Sequence, residues 1–120
     1  MRVPFAAVAL TAALALAPAA QAQVADQPNA HRAIAAGDYD LAERHLLAEQ
    51  RIFPERPEVL LNLAAVYART GRVAEARALY QQVLARKAVA MDVADGQVAA
   101  SHVVAQRGLR LLDAAQMAGR

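Results

Sequence analysis

The stretch PEVLLNLAAVYARTGRVAEARALYQQVL, residues 57–84, decides how this chain folds. Pro57 suits the first turn of a helix, where its missing N–H leaves no bond unmade. Leu60, Leu63, Ala64 and Tyr67 follow at the spacing of one helical face. Gly71 can end that helix in the left-handed conformation. Val73, Ala76, Leu79, Tyr80, Val83 and Leu84 then mark a second apolar face. The Thr70-Gly71-Arg72 link is too short for anything but an antiparallel return. Ala64 and Ala76 are small where the two helices must approach.

Upstream, the same plan recurs. Gly37 precedes Gly71 by 34 residues, Ala42 precedes Ala76 and Leu46 precedes Tyr80 at that offset. Ile34, Leu41, Ala42, Leu46, Leu47, Ile52 and Phe53 supply apolar contacts, and Pro54 closes the unit. A fixed period of this length is the mark of a stacked repeat. The two units resemble the tetratricopeptide repeat: Leu60, Leu63, Ala64, Tyr67, Gly71, Ala76, Tyr80 and Leu84 stand at that family's positions, with Leu60 where it often has Trp. The first unit matches best from Gly37 to Pro54. Its inner helix, about Gln27 to Ala36, is short and alanine-rich. The resemblance implies an all-α fold of antiparallel helix-turn-helix repeats with a C-terminal capping helix. The repeat domain is placed at residues 23–88, in units of about 26–56 and 57–88.

The segment before the repeats reads as an address. Arg2 is followed by an almost wholly apolar run to Ala17, then Pro18 and the small-residue site Ala20-Gln21-Ala22, as in a cleavable export signal. Residues 1–22 are expected to be removed after Ala22, leaving a periplasmic or secreted protein without stable membrane insertion. The run is only marginally long for a span, which needs roughly 20 apolar residues.

Hydrophobic residues make up 58% of the 120, and aromatic residues only 4%. The apolar excess is largely alanine. With no cysteine there is no disulfide, thiolate metal site or cysteine nucleophile. The net charge of +2, with Arg and Lys scattered among acids, gives no basis for binding nucleic acid.

After the repeats, Val89, Met91 and Val93 alternate with smaller or polar residues before Asp95-Gly96. That pattern allows a hairpin, but short runs make one marginal, and residues 89–100 are expected to form an extended loop in preference. Ser101 is a candidate N-cap for a closing helix within residues 101–120. Val103, Val104, Leu109, Leu111, Leu112 and Ala115 are its apolar positions. Gly108 is an unfavourable residue inside it, costing about 1 kcal/mol against Ala.

Chemistry is sparse. His31, His45 and His102 are not spaced to share a metal. His45 and Glu49 read as an exposed helix pair. Ser101 and His102 are adjacent and so point in different directions on a helix. Asp38, Asp40 and Glu43 suit a helix N-terminus and lack the ligand pattern of a calcium loop. No phosphate loop, nucleophile elbow or dinucleotide fingerprint occurs. No catalytic residue, metal or cofactor is expected.

The resemblance leaves a surface. In tetratricopeptide proteins the inner helices line a concave groove that holds a peptide or a partner helix. Carried onto the second unit, the groove would show Glu58, Leu61, Asn62, Ala65 and Arg69, with Ala68 beside them. Some members clamp a C-terminal carboxylate with Lys and Asn on this helix; Leu61 and Ala65 stand at those places here and do not fit that ligand. Leu61 either meets a ligand or packs on the first inner helix. The expected function is a non-catalytic adaptor binding another protein. The alternative is an accessory subunit docked permanently through the last helix. Association with a second copy also stays open.

Overall fold

The computed structural model describes residues 30–93 and 96–119. The expected export signal, residues 1–22, lies outside them, as do residues 27–29 of the first inner helix. The described elements are α1 (Ala30–Ala35), α2 (Tyr39–Ile52), α3 (Pro57–Arg69), α4 (Val73–Leu84), β1 (Ala90–Asp92), β2 (Val98–Ala100) and α5 (Ser101–Ala118).

Both helical hairpins turn by the same chemistry. Gly37 and Gly71 have φ of +76° and +79°, the left-handed region that a side chain disfavours. After Gly37, the Asp38 N–H bonds the Ala33 carbonyl at 2.9 Å; after Gly71, the Arg72 N–H bonds the Tyr67 carbonyl at 2.8 Å. Each is the long bond of a Schellman motif, and the two recur at the period read from the sequence. Pro57 opens α3 as expected.

The helices stack in order. Each packs on the next, and the inner helices α1, α3 and α5 also touch in sequence. Ala42, Ala64 and Ala76 are fully buried at the crossings, and Leu46, Leu60 and Leu63 fill the space between. Burying each of these leucines contributes about 1.5–3 kcal/mol. Ile52 and Phe53 depart from expectation. They end α2 on its open side and remain 69% and 41% exposed. Arg56 lies over the Phe53 ring, 3.6 Å from its centroid.

The two units are also joined across their outer helices. Asp38 caps α2 by accepting the Leu41 N–H at 3.1 Å. One period later the cap position holds Arg72, whose side chain makes no cap bond. It reaches back instead to Glu43, donating to both carboxylate oxygens at 2.7 and 2.8 Å. Its guanidinium also lies 4.2 Å from the Tyr67 ring centroid. This bond holds the Glu43 carboxyl below its ordinary pKa, against the opposing effect of burial.

Within the stretch expected to be a loop, β1 and β2 pair as a two-stranded antiparallel ladder, with Ala90 opposite Ala100, Met91 opposite Ala99 and Asp92 opposite Val98. A hairpin this short is marginal alone; tertiary contacts hold it. Met91 enters the core. At the base, the Ser101 N–H bonds the Val89 carbonyl at 2.8 Å, and the Val89 N–H bonds Ser101 Oγ at 2.9 Å. His102 Nε2 contacts the Arg86 carbonyl at 2.6 Å. A carbonyl only accepts, so Nε2 carries the proton.

Ser101 is therefore not the N-cap that its sequence position suggested. Ala100 occupies that position without a side-chain cap, while Ser101 is buried and serves the hairpin. The closing helix buries Ser101, Ala105, Gly108 and Leu112. Val103, Leu111 and Ala115 are exposed instead: Val103 lies opposite the buried stripe, and Leu111 borders the cleft beside Gly108. Gly108 has a packing reason: a Cβ there would overlap the Tyr80 ring, with the Tyr80 hydroxyl 2.7 Å away.

Candidate functional site

Helix α3 presents one side to the core and the other to a cleft of about 310 Å³. Its spacing explains the division: Leu60, Leu63 and Ala64 face α4 and α2, while Leu61, Ala65 and Arg69 recur four residues apart on the cleft side. All five residues named from the sequence, Glu58, Leu61, Asn62, Ala65 and Arg69, line this cleft.

They do not contribute equally. Leu61 is only 5% exposed and belongs to the core as much as to the cleft. Ala65 is partly exposed and forms the accessible floor. The Asn62 side-chain N–H points to His31 Nε2 at 3.4 Å, linking α3 to the first inner helix. Arg69 reaches the Ala65 carbonyl of its own helix at 3.4 Å. Among the described residues, Arg69 and Glu58 enter no ion pair.

The far wall was not read from the sequence. Met91, Asp92 and Val93 supply one part of it, and Val104, Arg107, Gly108 and Leu111 of α5 supply another. Two signals pointed that way: the alternation of residues 89–93 and the glycine inside a helix. Neither says where an element docks. Tyr80 closes the cleft beneath Gly108. Burial raises its phenol pKa, partly offset by the charge of Arg69, which lines the same cleft.

The other sequence candidates do not gather. His45 and Glu49 form no ion pair. His102 is engaged at the hairpin base, away from the cleft. Among the described residues no three His, Asp or Glu side chains come together as a metal site, and no helix is long and apolar enough to cross a membrane. A second concavity, about 560 Å³, lies on the outer side of α4 around Gly71–Glu75 and Gln116. It is shallower and holds none of the residues expected to bind.

A cleft with an apolar floor, polar groups along one helix and a strand on its far side can hold an extended chain.

A family model for the tetratricopeptide repeat matches residues 33–96, more than half of the chain. The match runs from within α1 through α4 and β1 and stops before β2 and α5. No curated protein and no solved structure matches the chain.

Proposed function

Because the chain belongs to the tetratricopeptide repeat family, whose repeats are typically non-catalytic scaffolds that bind other proteins, we propose that it is an exported adaptor holding a partner segment in the cleft of α3, β1 and α5. The observation that carries this is the convergence of Glu58, Leu61, Asn62, Ala65 and Arg69 on one concave surface. The export signal of residues 1–22 puts the adaptor in the periplasm or outside the cell. Mass spectrometry of the mature protein tests that point, with Gln23 as the expected first residue and a retained Met1 as the contrary result.

Capture from a cell-envelope extract tests the cleft. Ala65→Glu adds bulk and charge to the accessible floor and should abolish capture of a partner held by the wild type. Leu61 is unsuited to this test, because it is buried and its change would disturb the fold.

A second reading has its own observation. Val103 and Met117 are exposed on the outer face of α5 at 46% and 73%. An accessory subunit would use that face for permanent docking. Capture lost in Val103→Asp with Met117→Asp, yet kept in Ala65→Glu, would select this reading over the cleft.

A further inference from the structure

In an antiparallel ladder, alternate residues turn their backbone N–H and C=O groups toward the partner strand, and those between turn them away. Here Ser101 N–H bonds the Val89 carbonyl and Val93 N–H bonds the Gln97 carbonyl, both at 2.8 Å. Met91 is in phase with them and pairs with Ala99. Ala90 and Asp92 therefore direct their N–H and C=O groups away from β2. That edge has a definite setting. Met91 and Asp92 point to opposite faces of the strand, the first buried and the second exposed, yet both line the cleft. Neither strand β2 nor its residues do so. The cleft runs along the outer edge of β1.

The charges of the cleft are also ordered. Arg69 and Arg107 both line the cleft with Tyr80, whose ring lies against Gly108, the neighbour of Arg107, so the two arginines stand toward the Tyr80 end. Neither arginine enters an ion pair among the described residues. Glu58 is at the other end of α3, about 16 Å along the helix axis. Asp92 is on the strand wall itself, and His31 stands beside Asn62.

We infer that the occupant is an extended, acidic segment of a partner protein that adds to β1 as a third strand. Its backbone bonds the N–H and C=O groups of Ala90 and Asp92, and an internal Asp or Glu side chain meets Arg69 and Arg107. Main-chain pairing of this kind gives affinity with little demand on sequence. The apolar floor and the arginine pair then select among segments. An unpaired edge is otherwise a liability that proteins cover or blunt. This inference rests on the cleft being the binding site.

The test selects binders from a random twelve-residue peptide library displayed without free C-termini, using the full chain as bait. The best peptide is then synthesised with both ends capped. Enrichment in Asp and Glu is expected. Single backbone N-methylation should weaken binding at least 10-fold at every second residue and little between, the two-residue period of strand pairing. Arg69→Ala with Arg107→Ala should weaken the peptide about 10-fold and flatten its salt dependence. If Ala65→Glu abolishes binding but N-methylation shows no two-residue period, strand addition is overturned and the cleft stands. If the peptides show no acidic excess, the arginine contact is overturned. If no selected peptide is sensitive to Ala65→Glu, the cleft reading itself fails, and this inference with it.

Discussion

Replacing Gly108 with alanine sets two effects against each other. In an exposed helix the change would stabilise by about 1 kcal/mol, since glycine carries the larger backbone entropy. Here the new methyl would fall on the Tyr80 ring. Either α5 lifts from α4 or Tyr80 rotates out of a site where it is only 6% exposed. Overpacking of this kind costs about 1–3 kcal/mol, and exposing a large apolar side chain costs a similar amount. The helix-propensity gain offsets part, so Gly108→Ala should destabilise by about 1–2 kcal/mol. For a domain near this size that lowers Tm by roughly 5–15 °C. A double-mutant cycle isolates the cause. Leu46 holds the place of Tyr80 in the first unit, so Tyr80→Leu is a natural replacement that removes the ring. In that background Gly108→Ala should be neutral or slightly stabilising. Thermal melts by circular dichroism of the four proteins suffice. A higher Tm for Gly108→Ala in both backgrounds would refute the docking of α5 on Tyr80.

Other changes probe the remaining joints. Ser101→Ala leaves the Val89 N–H without its side-chain acceptor and should cost about 1–3 kcal/mol, seen as a lower urea midpoint with an unchanged slope. Gly71→Ala forces a side chain into the left-handed region and should cost about 1–2 kcal/mol; a similar melt reads it, and no loss would argue against the turn. The Glu43 carboxyl is held below its usual value of 4.5 by Arg72. A depressed acid stabilises above its unfolded pKa, and that contribution is lost as pH falls through the folded one. The Tm gap between wild type and Glu43→Gln should therefore be steady near neutrality and close below about pH 4.5. Deleting residues 101–120 uncovers Tyr80 and Met91 and should lower Tm or cause aggregation by light scattering; an unchanged monomer would contradict the closing role of α5.

The repeats were legible because they are local. Gly37 and Gly71 need only their own hairpins to be understood, and the offset between them aligns the buried Ala42 with Ala76. The cleft side of α3 followed from the same periodicity. What was not legible depends on contacts distant in sequence. Ser101 has the chemistry of an N-cap, yet its hydroxyl serves Val89 across the hairpin. Gly108 reads locally as a weak point, and only the Tyr80 ring opposite explains it. The ladder of β1 and β2 is too short to hold itself, so no local propensity could choose it over a loop. Arg72 replaced a cap with a bond to the preceding unit, which periodicity alone treats as an irregularity. The far wall of the cleft is built from these tertiary contacts, so the sequence revealed one side of the site and concealed the other.

The central claim is that a partner occupies the cleft of α3, β1 and α5. Photocrosslinking in the native cell tests it most directly, with a photoreactive phenylalanine analogue placed singly at Ala65 on the cleft floor or at Ala78 on the outer concavity. A protein adduct from position 65 and none from position 78 is the predicted result. An adduct from position 78 with none from position 65 would contradict the claim.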